Sequence, residues 1–272
     1  MLIDTHCHLD AREFSPDRQV VIERAVKAGV DAIVIPAVAR ANFQKVKDLA
    51  HTFAGGAYAL GIHPICVPTA VNDDLNALAE QVKASLDDPR FVGIGEIGLD
   101  FFVPELKTPE MRERQNYFYT AQLDLAIEFG LPVIVHVRRS QDELLKQLRR
   151  RPRIGGIAHA FNGSFQQAQQ FIDQGFVLGF GGAMTFPRAL QIRRLATQLP
   201  VEAIVLETDA PDIPPAWLES GSRNEPACVA GVAAVLAELR GLTPDQVKAQ
   251  TGSNTLRVLP RLGARAQAGL RP

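Results

Sequence analysis

Pro132-Val133-Ile134-Val135 runs without a polar break into His136 and Val137, and Ala32-Ile33-Val34-Ile35 does the same a hundred residues earlier. Alternating polar and apolar residues would suit a sheet with one wet face. Unbroken runs suit parallel strands covered on both faces. Working outward, strands are expected at residues 2–4, 32–36, 58–62, 92–97, 132–137, 155–160, 177–182 and 203–207. Helical segments fill the gaps. One spans residues 17–28 and stops before Gly29, a residue suited to the turn beyond a helix end. Thr108 precedes Pro109 and Thr243 precedes Pro244, each a cap before a proline at the first helical position. Ser164 is placed to cap residues 165–173, and Ser140 with Glu143 has the spacing of a reciprocal cap. Eight strands alternating with helices predict a single α/β domain, a (β/α)8 TIM-type barrel over residues 1–263. Residues 264–272 are expected to form a C-terminal tail. An open doubly wound sheet is the structural rival. Gly93-x-Gly95-x-x-Gly98 matches a dinucleotide fingerprint on paper, but Glu96 stands at its centre and the segment reads as strand throughout.

The chain has 272 residues, 46% of them hydrophobic and 22% charged, with a formal net charge of -1. This is ordinary globular usage and allows a large core. There is no global basic field for a polyanion, so such a substrate would need local positive charge, which bound metal ions can supply. Cys7, Cys66 and Cys228 are too few and too odd for a disulfide framework. Cys7 should point away from its histidine neighbours and act as a small buried hydrophobe. The start of the chain shows no basic n-region and no apolar run approaches a membrane span, so a cytoplasmic protein with no membrane partner is expected.

Five of six histidines, His6, His8, His63, His136 and His159, fall at or just after the C-terminal end of an expected strand. Only His51 falls in a helix, where a solvated surface role is expected. The C-terminal ends of the strands form the active-site face of a barrel. Packing alone does not explain five imidazoles on one rim, because each needs a polar partner when buried. His6 and His8 are two apart on a strand and share a face, so both can reach one ion. Glu96 lies in an apolar, glycine-rich strand. A structural salt bridge is the bland reading, and metal ligation is the better one, because its two oxygens can bridge two ions. His136 and His159 end neighbouring strands and can hold a second ion. Asp209 follows the eighth strand, which adjoins the first in a closed barrel, so it can meet His6 and His8. Glu207 should share its face, either orienting a ligand or a water, or pairing as a buried ion. His63 is read as a substrate contact or charge stabiliser rather than a ligand. Arg138 and Arg139 can hold a phosphate or can simply be solvated. Arg223, in the polar loop Arg223-Asn224-Glu225-Pro226, is read as a rim residue able to close over substrate.

These segments resemble the TatD family of metal-dependent deoxyribonucleases, within the amidohydrolase-like barrel superfamily. The resemblance rests on Ile3-Asp4-Thr5-His6-Cys7-His8, Gly61-Ile62-His63-Pro64, the run from Gly93 to Asp100, Pro132 to His136, His159-Ala160-Phe161, Leu206-Glu207-Thr208-Asp209-Ala210-Pro211 and Asn224-Glu225-Pro226. It implies that His6 and His8 bind one ion with Asp209, that Glu96 bridges, and that His136 and His159 hold the second. It also implies a DNA substrate, single-stranded or at 3′ ends, trimmed as by a 3′-to-5′ exonuclease. No obligate protein partner is implied. Ala160, Asn162 and Val137 depart from residues common in the family, and none of them is a ligand. Imidazole-rich donors suit zinc, manganese, iron or nickel, whereas the family nucleases often use magnesium. The expected chemistry is attack by activated water on a phosphodiester, with Asp209 as proton acceptor and His63 stabilising charge. The rival functions are a hydrolase of a small amide, lactone or phosphate ester, and a metal-binding scaffold without catalysis.

Overall fold

The computed structural model describes residues 1–268. It contains eight parallel strands in chain order: β1 (Leu2–Asp4), β2 (Val30–Pro36), β3 (Gly56–Leu60), β4 (Phe91–Asp100), β5 (Val133–Arg138), β6 (Gly156–His159), β7 (Phe176–Phe180) and β8 (Ile204–Leu206). The helices between successive strands are α1 (Arg18–Lys27), α2 (Phe43–His51), α3 (Asn72–Ser85), α4 (Pro109–Glu128), α5 (Gln141–Arg149), α6 (Phe165–Asp173) and α7 (Leu190–Gln198). Then come α8 (Val229–Arg240), α9 (Pro244–Val258) and α10 (Pro260–Ala268). The Thr5 amide donates to the Leu206 carbonyl at 3.0 Å and the Asp209 amide to the His6 carbonyl at 2.8 Å, which brings the last strand against the first. This is a single TIM-like barrel rather than an open sheet.

Two apolar layers follow from the double-covered strands. Leu2, Ile33, Ile35, Val133 and Val135 face the helices, together with Cys7, which is fully buried there. Ile3, Val34, Ala59, Val92, Ile134, Ile157, Val177 and Val205 fill the interior, and Val258, Leu259 and Leu262 join them from the α9–α10 corner. Branched side chains packed in this way make the interior a solid core. Strand side chains repeat every second residue. Ile134 is therefore followed on the inner face by His136, Ile157 by His159, and Val205 by Glu207 and then Asp209. Chemistry begins where the apolar interior stops.

Caps at Thr108, Ser164 and Thr243 form as expected, each accepting the amide of the third helical residue. Gly29 takes φ 83 just past α1. Ser140 differs. It sits at the start of α5, but its hydroxyl donates to the Leu99 carbonyl at 2.6 Å, and Glu143 pairs with Lys146 instead. A buried strand-end carbonyl outcompetes a helix amide that water can satisfy. His51 is the last residue of α2; it is exposed as expected and also hydrogen-bonds Asp88 at 2.9 Å. Helix α10 runs to Ala268, so residues 264–268 of the expected tail are helical; residues 269–272 lie outside the described residues. No single helix among the described residues is long and apolar enough to cross a membrane.

Candidate metal centre

Glu96 is the hub. In β4 the register slips between Ile94 and Ile97, and the Gly95–Glu96 peptide is cis. Val92 belongs to the inner layer and Ile94 and Ile97 to the outer one, while Glu96 faces in at 1% exposure. Its two oxygens serve different neighbours. Oε2 lies 3.1 Å from His6 Nε2 and 3.3 Å from His8 Nε2. Oε1 lies 3.0 Å from His136 Nδ1, 2.9 Å from His159 Nε2 and 3.2 Å from His63 Nε2. Asp209 Oδ1 stands 3.7 Å from both His6 and His8 Nε2. Burial alone would raise the Glu96 carboxyl. The surrounding imidazoles, His63, His159 and His6 foremost, outweigh it and hold the group well below the usual carboxylate range.

The donor set fits two divalent cations. Ligands about 2.1 Å from a tetrahedral ion stand about 3.4 Å from one another, and the separations above scatter around that edge length. His6 and His8 Nε2 approach to 3.3 Å, and His159 Nε2 and His136 Nδ1 to 3.4 Å. Paired nitrogens at that range, facing a shared carboxylate, suit a common cation better than one shared proton. Three groups close enough to hold an ion emerge around Glu96: His6, His8 and Asp209; His6, Glu96 and His159; and His63, Glu96 and His136.

His63 joins the third group in space, closer than its sequence position suggested. Its Nδ1 accepts the Ile65 amide at 3.0 Å. Burial lowers its pKa to about 4, so the ring is neutral at pH 7. A neutral ring that accepts at Nδ1 carries its proton on Nε2. His63 therefore turns an Nε2–H toward Glu96 Oε1, 3.2 Å away, and with Glu96 and His136 it also forms a group spaced to hold an ion.

The outer groups hold the ligands in place. Asp100 Oδ2 accepts His136 Nε2–H at 3.1 Å, which leaves Nδ1 free for the centre. Its Oδ1 accepts the amides of Phe102 and Val103. Burial works against its charge, but the His136 N–H and these amides bring its carboxyl down to about 2. Sequence reasoning assigned Asp100 no role, although its place four residues beyond Glu96 was a usable signal. Glu207 is buried beside His159, with Oε1 3.8 Å from Nδ1 and accepting the Ala160 amide. Burial pushes it up to about 7. A Cβ at Gly179 would lie 2.1 Å from Glu207 Oε2, so only glycine leaves room for that carboxyl. Arg139, Ala160 and Asp209 take φ 56, 45 and 57, left-handed values that non-glycine residues enter at a cost. All three stand where the chain leaves a site strand.

The centre opens into a cleft of about 1020 Å³ that includes Arg138, Arg139, Phe102, Asn162 and Asp212. Arg223 is not brought there. Its guanidinium binds Asp17 at 2.7 Å and Glu225 at 2.8 Å and lies over Phe14. The loop is not a lid either, because the Asn224 side chain donates to the carbonyls of Thr208, Asp212 and Ile213.

A closed α/β barrel that gathers imidazoles and carboxylates around a bridging glutamate at its C-terminal mouth has the architecture of a metal-dependent hydrolase. The family profile described as TatD related DNase matches residues 3–260. The chain is 40% identical to YjjV of Escherichia coli K12, described as an uncharacterized metal-dependent hydrolase, over 93% of this chain and 95% of that one. It is 32% identical to human "Deoxyribonuclease TATDN3", over 96% and 95% of the two chains. The crystal structure of YjjV, a TatD homologue, superposes with a TM-score of 0.88 at 38% identity, covering 95% of this chain and 98% of that one. The chain belongs to the TatD family of metal-dependent hydrolases.

Proposed function

We propose that the chain is a phosphodiesterase that degrades DNA, acting on single strands or 3′ ends in the 3′-to-5′ sense, with two divalent ions held by His6, His8, Glu96, His136, His159 and Asp209. The observation that carries this reading is the division of Glu96, one oxygen toward each imidazole group. The deoxyribonuclease descriptions of the family profile and of TATDN3 support the choice of substrate. Ions in such a site polarise a phosphoryl oxygen and lower the pKa of water. The protein's own groups do the rest. Asp209 lines the cleft beside His6 and His8 and is placed to take a proton from the attacking water. His63 Nε2–H faces the same space and is placed to donate to an oxygen that gains charge. Asp100 and Glu207 set the rings of His136 and His159.

The test uses protein purified without chelator, its metal content measured, assayed on end-labelled single-stranded DNA beside a panel of lactones and amides. DNA should be shortened and the panel left intact. Asp209→Asn should keep its ions and lose roughly 10²–10⁴ in kcat. A folded, metal-bearing Asp209→Asn variant at full rate would defeat the assignment. Turnover of the panel without DNA cleavage would move the substrate class to small lactones or amides.

A further inference from the structure

Phe102 was not singled out by its sequence. It lies two residues beyond β4, lines the cleft and is 39% exposed. Two guanidiniums lie against its ring: Arg138 at 3.9 Å from the ring centre and Arg139 at 4.7 Å. Lys107 approaches the same ring at 5.9 Å. Cations near an aromatic ring are attracted to its electron-rich face, but neighbouring guanidiniums also repel one another. Little acidic charge offsets that repulsion. Arg138 has Asp100 at 3.9 Å, and Arg139 has no carboxylate within ion-pair reach among the described residues. Arg139 also holds φ 56, a left-handed backbone. Asp100 lies between the ring's loop and the centre, touching His136 on one side and the Phe102 amide on the other. The Arg138 guanidinium is thereby separated from His136 by the Asp100 carboxylate, and Arg139 shares the Phe102 ring with it. The other side of the mouth, beyond β1 and β8, carries Asp10, Glu13 and Asp212.

We infer that Arg138 and Arg139, held by Phe102, form a clamp for a second phosphate of the substrate strand, next to the one being cut. This rests on the phosphodiesterase reading and deepens it. The clamp selects for polymers, because an ester with one phosphate cannot fill the centre and the clamp together. It also orients the strand, since its charge is attracted at the β4–β5 side and repelled at the β1–β8 side. Phe102 is a positioning residue, because its ring fixes where the guanidiniums stand.

The experiment compares wild type, Arg138→Ala/Arg139→Ala, Phe102→Leu and Phe102→Tyr, all metal-loaded. Binding of a short labelled single strand with a phosphorothioate backbone is followed by fluorescence anisotropy across a salt series. Turnover is measured on an ordinary single strand and on bis(4-nitrophenyl) phosphate. The double variant should bind the strand roughly tenfold or more weakly. Its slope of log K against log salt should become shallower by about 0.7, the value for one lost phosphate contact on a single strand. KM for DNA should rise with kcat held, and the one-phosphate ester should be cut as by wild type. Phe102→Leu should move in the same direction less far, and Phe102→Tyr should behave as wild type. Unchanged affinity and slope, or equal losses on both substrates, overturn the clamp. If wild type cuts DNA while the double variant keeps its slope, the clamp fails and the nuclease stands. Wild-type binding with the expected slopes but no cleavage fails the nuclease and keeps the clamp; no binding at all removes both.

Discussion

Asp100 shows how one side chain couples the centre to its surroundings. Its Oδ2 receives the His136 Nε2 proton and its Oδ1 the amides of Phe102 and Val103. An imidazole coordinates through one nitrogen, and whatever holds the other decides which one that is. With Asp100 in place, Nδ1 of His136 faces Glu96. Asp100→Ala leaves Nε2 without a partner and frees the ring to turn. We expect affinity for one of the two ions to fall roughly 10–100-fold, with the other ion retained. Titration of the chelator-stripped variant, read by calorimetry, should show one tight and one weakened site. Two unaltered sites would mean that Asp100 only caps the loop after β4. His63 makes the complementary point. Its type and strand-end position were legible in the sequence, but its role as a donor depends on the Ile65 amide, which only the folded turn reveals.

Elements were legible where burial on both faces made the residue pattern one-sided. The runs at 32–35 and 132–135 fall inside β2 and β5, and the six expected ligands meet because the strands that carry them do. What was not legible depends on partners distant in sequence. β4 reaches Asp100 because it pairs with β5 as far as Arg138. Arg223 looked like a rim residue because Asp17, its main partner, lies more than two hundred positions away. That partnership ties the loop after β8 to the start of α1, and Arg24 and Glu225 extend it. It also sets a pH dependence. Arg223, then Arg24, hold the Asp17 carboxyl at about 2, below its ordinary 3.8. A carboxyl lowered by folding stabilises the fold above its unfolded pKa, and that contribution is lost as pH falls through the folded one. Asp17→Asn should therefore melt a few degrees at most below wild type at pH 7. The gap should narrow below pH 4 and close near pH 2. Thermal melts of both proteins across that range decide it, and a gap independent of pH would show that the contact acts through packing rather than charge.

At the scale of the whole molecule, the centre and the apolar interior share one barrel but not one source of stability. Ile3, Val34, Ile134, Ile157 and Val205 pack below the site with Val258, Leu259 and Leu262, and none of them needs an ion. Above them, the ligands come from five places along the chain and join its first strand to the stretch after its last. Imidazole nitrogens and carboxylate oxygens stand there 2.9–3.7 Å apart. Ions that bind the fold and not the unfolded chain add about 2.7 kcal/mol each at a hundred times Kd. For a chain of this length, each kcal/mol moves the melting temperature by about 2 °C. Removing two ions should therefore lower the melting temperature by about 10 °C, while the far-ultraviolet circular dichroism at 25 °C stays unchanged, because the interior still holds the strands together. Zinc or manganese returned in excess should restore the melt. The restoration should weaken as pH falls, because protons compete for the same imidazoles and carboxylates. A melting temperature indifferent to chelator would mean that the six groups hold no ion tightly. A chelated protein that loses its helix signal at 25 °C would mean that the interior cannot stand alone. Between those results, a lower melt over an intact fold is what a barrel with an ion-independent core and an ion-dependent mouth must give.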